Sequence, residues 1–305
     1  LDTATGTIAT FDPLNDLNAG DTYTVVVRSG STGVKDLAVP ANSMLNDEGW
    51  TFSVEAAGGA CLQPVALNEV EPFGTFGGSA GMTNMGIQTL INGDIGTIST
   101  TTSTVTGFHD TNGDIYTETP ANIGSVNGLI YTCTTSTTGP TSAAVNAASC
   151  EIATDARLAA EAAYLELAGL AGGPDPGAGN LASLTLAPGT YTATSGSFMI
   201  EGGDLTLDPQ GDANAVWVFQ MATTLTVGGP GAAAPQSIIL IPPAQSKNVF
   251  WQVGSAATIN AAGGGTMEGT IIAQDGVSFS TAGNVDIVTL NGRALSLGAS
   301  VTLVD

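Results

Sequence analysis

Oxygen-bearing side chains recur at alternate positions after the single histidine of this chain, His109, in the run Asp110-Thr111-Asn112-Gly113-Asp114. Carboxylates and carboxamides at that spacing open loops that wrap a calcium ion, a hard cation satisfied by several oxygens. Counting from Asp110, the twelfth position, where a bidentate Glu would close such a loop, holds Ala121. Calcium held by Asp110, Asn112 and Asp114 therefore competes with an ordinary turn in which the side chains bond their own backbone. A second acidic cluster, Asp204, Asp208 and Asp212, has a spacing of four across Pro209 and Gly211 and reads as turn formers. No Ser or Cys pairs with His109 by spacing, and no HExxH, phosphate-binding loop or nucleophile elbow occurs. An enzyme, a metal centre and a cofactor are not expected.

Of the three cysteines, Cys133 and Cys150 bracket a loop rich in Ser, Thr, Gly and Pro, and a disulfide between them is expected in an exported protein. Cys61 is left over, and none of the spacings suits zinc. The charge balance is lopsided, with 27 acidic against 5 basic residues and a net charge of -22 in 305 residues. Arg28, Lys35, Arg157, Lys247 and Arg293 cannot neutralise a row of phosphates, which excludes nucleic-acid binding, and an anionic membrane surface would repel the chain. The acidity suits solubility in a saline, extracellular setting. No apolar run approaches the roughly 18 residues of a membrane span, so no insertion is expected. Beginning at Leu1 without Met, the sequence reads as a processed form or a fragment.

The elements that would position these residues are mostly short strands. Between 184 and 304, apolar β-branched and aromatic runs recur at 215–221, 237–241, 248–253, 270–273, 286–290 and 300–304, punctuated by Gly, Pro, Ala and Ser. Each must be covered by its neighbours, which points to stacked coils or a sandwich. Glycines alternate with Thr and Ile over 73–108, as tight corners require. The polar stretch from 108 to 149 holds possible strands at 115–117 and 128–133. One helix is expected at 152–170, with Leu158, Ala162 and Leu165 on one face, a small Ala face for close approach, and Gly172-Gly173-Pro174 as its stop. Arg293 between apolar runs calls for a partner, and Asp94 is the expected one.

Residues 1–56 form a separate β region, with strands at 7–11, 22–28 and 50–54 and turns at Asn18, Gly20 and Gly33. ATFDPLNDLNAGDTYTVVV, GVKDLA and WTFSV resemble the second half of a bacterial immunoglobulin-like surface module. Half a sandwich would leave open edges to which a second copy could add. A Gly/Ala-rich linker at 57–66 leads to a domain over 67–305. Its ordered phrases TNMG, INGDIG, AEAAY, LTLAPGTY, LTLDPQGDANAVWVFQ, KNVFWQVGSAATI, EGTIIA and NGRALSLGASVTL resemble the microbial ice-binding protein family.

That resemblance implies a mainly β chain: an irregular right-handed β-solenoid of roughly triangular section, with one α-helix alongside and a flat face that adsorbs to an ice crystal surface. Thr281 to Asn284 (TAGN) is similar to the Thr-Ala/Gly-x-Thr/Asn pattern on the ice face of active members, and Thr192, Thr194, Ser195, Ser197 and Thr266 are the other candidates. Threonine suits such a face, because its methyl excludes water, its hydroxyl anchors it, and β-branching fixes its rotamer in advance. The Gly/Ala coils at 231–235 and 261–265 depart from the strongest binders. Two functions remain open: a secreted or cell-surface ice-binding protein, and a structural surface protein, adhesin or filament subunit that uses the same faces for assembly.

Overall fold

A computed structural model describes residues 22–36, 38, 40–53, 62–228, 235–280 and 286–304. The expected strand at 7–11, the turns at Asn18 and Gly20, the first half of the 57–66 linker with Cys61, nearly all of 231–235, and Thr281 and Asn284 lie outside these residues. The chain divides into two compact units, Leu1–Cys61 and Leu62–Asp305.

In the first unit, Thr22–Val27 pairs antiparallel with Glu48–Ser53, Thr22 opposite Ser53 and Val27 opposite Glu48. The connection is held by carboxylates. Asp47 Oδ1 accepts from the Ser29 amide and hydroxyl at 2.7 and 2.8 Å, and Asp36 accepts from the Asn42 amide and side chain at 2.8 Å each.

The second unit is a stack of coils. A representative coil runs through Trp217–Met221, Leu225–Val227 and Ile238–Leu240, and returns one rung higher at Val249–Val253. Three β sides result: an eight-stranded sheet, a seven-stranded sheet, and a third side divided between three- and four-stranded sheets. The stack does not follow chain order. Phe73–Gly77 pairs parallel with Thr289–Ser296, and Met82–Asn84 with Val301–Leu303, so the first coils of this unit sit on its last. The expected strand at 286–290 lies further on, at Thr289–Ser296; Ile287 is exposed, and pairing begins where Thr289 meets Thr266.

Parallel, in-register rungs stack like on like inside the coil. Tyr191, Phe219 and Trp251 occupy one inward file, with ring centroids 5.5 and 4.1 Å apart and near-parallel planes. Offset aromatic stacking adds ~1 kcal/mol per pair to the area buried. The outer side of the same sheet presents Val218, Phe250, Ile272 and Leu295, and these carry the helix.

The helix spans Ala147–Gly169, five residues earlier at its start than expected, because Asn146 accepts from the Ala148 and Ser149 amides as its N-cap. Its buried face is almost entirely alanine: Ala153, Ala156, Ala159, Ala160 and Ala163, with Leu167. Leu158 and Leu165 point to solvent, 58% and 62% exposed. Small side chains let the helix lie close against the aromatic-studded sheet, so bulk comes from the sheet rather than from the helix.

Candidate functional site

The seven-stranded sheet consists of short strands that alternate inward, outward, inward. Leu225 and Val227, Ala257 and Ile259, and Val277 and Phe279 point into the core. The residues between them face out and stand in one register: Met199 opposite Thr226, then Thr258, Ser278, Thr302, Thr83 and Thr106. Every position except the first carries a hydroxyl, repeating at about 4.8 Å, the spacing of paired strands. Two residues back along each strand, ~6.6 Å away, runs a second file of Ser197, Thr224, Ala256, Gly276, Ser300, Gly81 and Thr104. All are small or hydroxylated, and neither file contains a charged side chain.

The backbone enforces this surface. Gly81 sits at φ +102°, and a Cβ there would lie 2.0 Å from the Thr104 carbonyl oxygen, so the second file must be flat at that rung. Among the described residues, the Thr83, Thr226, Thr258 and Thr302 hydroxyls have no protein partner and are left to an external one. The β-branched threonines are already restricted in rotamer, so ordering them against a rigid partner costs little entropy.

The residues expected from sequence are scattered by comparison. Ser197 lies in the second file, its hydroxyl 2.6 Å from Thr223 Oγ1 and 2.9 Å from Thr224 Oγ1. Thr194 and Ser195 occupy the adjoining corner, exposed, with the Thr194 amide on Asp175. Thr192 is not on this face. It belongs to the helix-covered sheet, where its hydroxyl donates to Gln220 Oε1 at 2.7 Å and accepts from the Gly173 amide at 3.0 Å. Gln220 in turn donates to the Leu167 and Leu170 carbonyls at 2.8 and 3.0 Å, which closes the helix C-terminus. Thr266 opens a strand of the eight-stranded sheet, beside Ser237 and paired with Thr289. The signal that would have found the site is the triplet apolar-hydroxyl-apolar, as in Leu225-Thr226-Val227, Ala257-Thr258-Ile259, Val277-Ser278-Phe279 and Val301-Thr302-Leu303.

Cys133 and Cys150 are joined by a disulfide that ties the first turn of the helix to the residue after the edge strand Ile130–Thr132. Asp94 and Arg293 are not partners. Asp94 Oδ1 accepts from the Leu129 amide at 2.8 Å, whereas Arg293 Nε donates to the Glu71 carbonyl at 2.8 Å, because the end of the chain stacks beside residues 71–77.

The carboxylates of the acidic loop accept hydrogen bonds from within the loop and from the strands and turns beside it. Asp110 accepts from the Asn112, Asp114 and Ile130 amides, and Asp114 accepts from Ser136, the Thr141 amide and the Thr141 hydroxyl. Its oxygens thus organise the cap of the stack.

His109 is not alone, contrary to the sequence expectation. Nδ1 lies 2.6 Å from Glu118 Oε1 and Nε2 lies 3.3 Å from Ser125 Oγ, the connectivity of an acid-base-nucleophile triad. Acyl transfer also requires N–H donors aimed beside the nucleophile. The Ser125 and Asn127 amides are bonded to the Thr89 and Ile91 carbonyls in the ladder, so neither is turned toward the Ser125 hydroxyl, and the contacts of His109 tie a strand to a loop.

Residues 76–305, well over half of the chain, match the family model described as ice-binding-like. The chain belongs to this family. Residues 2–54 match the model of a bacterial Ig-like domain. Among curated family members, an ice-binding protein of Nostoc sp. (strain HG1) is 36% identical over 152 residues, 50% of this chain and 51% of the relative. One of Flavobacterium frigoris (strain PS1) is 33% identical over 162 residues, 51% of this chain and 52% of the relative. The chain therefore spans about half the length of the curated relatives it matches. Among solved structures, a domain of Shewanella frigidimarina ice-binding protein 1 superposes with a TM-score of 0.63 at 28% identity, covering 80% of this chain and 95% of that one. A glycosylated ice-binding protein from an Arctic yeast gives a TM-score of 0.60 at 30% identity, covering 79% and 91%. The solenoid with its lateral helix is thus the architecture of this family.

Proposed function

We propose that the chain binds ice, adsorbing through the outward files of the seven-stranded sheet, and that it works without chemical turnover. The observation that carries this reading is the register of Thr226, Thr258, Ser278, Thr302, Thr83 and Thr106 on consecutive rungs. A charge would hold water strongly in its own geometry, whereas a hydroxyl and a methyl at each rung order a weakly held water layer that a lattice can share. The names of the relatives support ice over assembly as the partner. Exposed at the cell surface or secreted, such a face would inhibit recrystallisation, shape crystals or attach a cell to ice. The disulfide and the Ig-like match fit that location. Ice-affinity partitioning tests the proposal: when a dilute solution is frozen slowly onto a cold finger, the chain should enrich in the ice fraction. Exclusion into the liquid to the same degree as a non-binding protein of equal size would refute it.

A further inference from the structure

The second unit contains three basic residues, Arg157, Lys247 and Arg293. Arg157 is engaged, with Nη1 on Glu161 at 3.0 Å and Nε on the Leu297 carbonyl at 2.6 Å. The other two line one pocket of about 260 Å³ together with Glu71, Asn92 and Ser246. Among the described residues, neither forms an ion pair within 4.0 Å, in a chain with 27 carboxylates to choose from. Only Nε of Arg293 is bonded, to a backbone carbonyl, which leaves both terminal nitrogens free to grip a planar oxyanion. Burial draws the Arg293 pKa down, and the nearby Glu71 carboxylate partly restores it. The charge of an incoming anion would offset the cost of that desolvation.

The pocket does not end there. Gly74, Asn92 and Gly292 are shared with an adjoining groove of about 480 Å³. Leu90 and Ile287 line this groove, 58% and 51% exposed, along with Leu290. We infer that this continuous cleft takes an anionic amphiphile of the fatty-acid class, its carboxylate between Arg293 and Lys247 and its acyl chain along Leu90, Ile287 and Leu290. Charge complementarity selects the head, and exposed apolar side chains in the adjoining groove select the tail. None of the file residues lines the cleft, although Phe279 and Leu303, next to Ser278 and Thr302, border its apolar part, and the assignment does not depend on ice binding.

Calorimetric titration of the full chain with octanoate, butyrate and 1-octanol tests the assignment. Octanoate should bind one to one, at least about tenfold more tightly than butyrate, because each of its four added methylenes removes apolar surface from water. 1-Octanol should bind about tenfold more weakly than octanoate, for want of the charged hydrogen bonds. Arg293→Gln should weaken octanoate by about tenfold, and the solvent-exposed Lys247→Gln by about threefold. Lys247→Gln decides the matter if the arginine variant fails to fold. Leu90→Ser should erase the chain-length preference and leave butyrate unchanged. Equal affinity for octanoate and butyrate, equal affinity for octanoate and octanol, undiminished binding in the folded variants, or no binding at all would each overturn the proposal.

Discussion

Thr226 and Thr258 stand directly opposite each other on adjacent parallel rungs, flanked by the buried pairs Leu225–Ala257 and Val227–Ile259. A buried residue on either side locks each threonine outward, because a shift of register by one residue would place the hydroxyls in the core and the aliphatic side chains in water. The face is thus specified by the core behind it.

The alanine face of the helix should tolerate no added bulk. Ala160→Leu is expected to lower stability by about 1–3 kcal/mol, the usual cost of overpacking, whereas Leu158→Ala should stay within ~0.5 kcal/mol of the parent. Urea denaturation monitored by circular dichroism distinguishes the two. Equal losses would mean that the helix docks through a different face.

Gln220→Leu removes two hydrogen bonds to helix carbonyls and a third to Thr192. Leaving those groups without a partner should cost about 2 kcal/mol in the same denaturation experiment. Hydrogen exchange should localise the loosening to residues 165–173. Unchanged protection there would refute the proposed clamp.

The disulfide closes a loop with a sequence separation of 17. Replacing both Cys133 and Cys150 with Ser should lower stability by about 3 kcal/mol, because the unfolded chain regains the entropy of that loop. A thermal melt of the double variant that matches the parent would contradict this.

Burial pushes the Tyr191 and Tyr116 phenols above their ordinary value of 10.0, and the Tyr116–Thr132 hydrogen bond only partly offsets it for the latter. For a group whose pKa is raised on folding, stability is fully present below the unfolded value and is lost as pH rises through the folded one. The melting temperature should therefore hold up to about pH 9 and fall above about pH 10. Tyr191→Phe should lessen that alkaline fall while giving up ~1 kcal/mol at neutral pH, since its hydroxyl donates to the Ala187 carbonyl at 2.7 Å. An alkaline fall as steep as the parent's would show that Tyr191 does not contribute to it.

Much of the fold was legible because its signals are local. Strands such as Trp217–Met221 and Val249–Val253 are apolar but for one Gln each, and the helix is written in Ala, Leu and Glu. The family phrases supplied the coil architecture. What the sequence did not carry was register. Thr192 and Thr258 are equally plausible surface residues in one dimension, and only the pairing of rungs sends one to Gln220 beneath the helix end and the other to the open face. Arg293 and Glu71 lie 222 residues apart and meet because the first coil of the unit stacks on the last. Ser125 likewise reaches His109, 16 residues away, only because their two short strands pair side by side. Such closures depend on which coil sits beside which, and composition does not encode that.

The most direct measurement is the thermal hysteresis of two folded variants, Thr258→Tyr on the seven-stranded sheet and Thr206→Tyr on the three-stranded one, each with a melting temperature matched to the parent. A ring standing out of the third of the seven rungs would prevent the face from meeting a lattice. Thr258→Tyr should lose most of the activity, and Thr206→Tyr should keep it. Full activity in Thr258→Tyr, or loss confined to Thr206→Tyr, would contradict the assignment of the threonine files as the ice-binding surface.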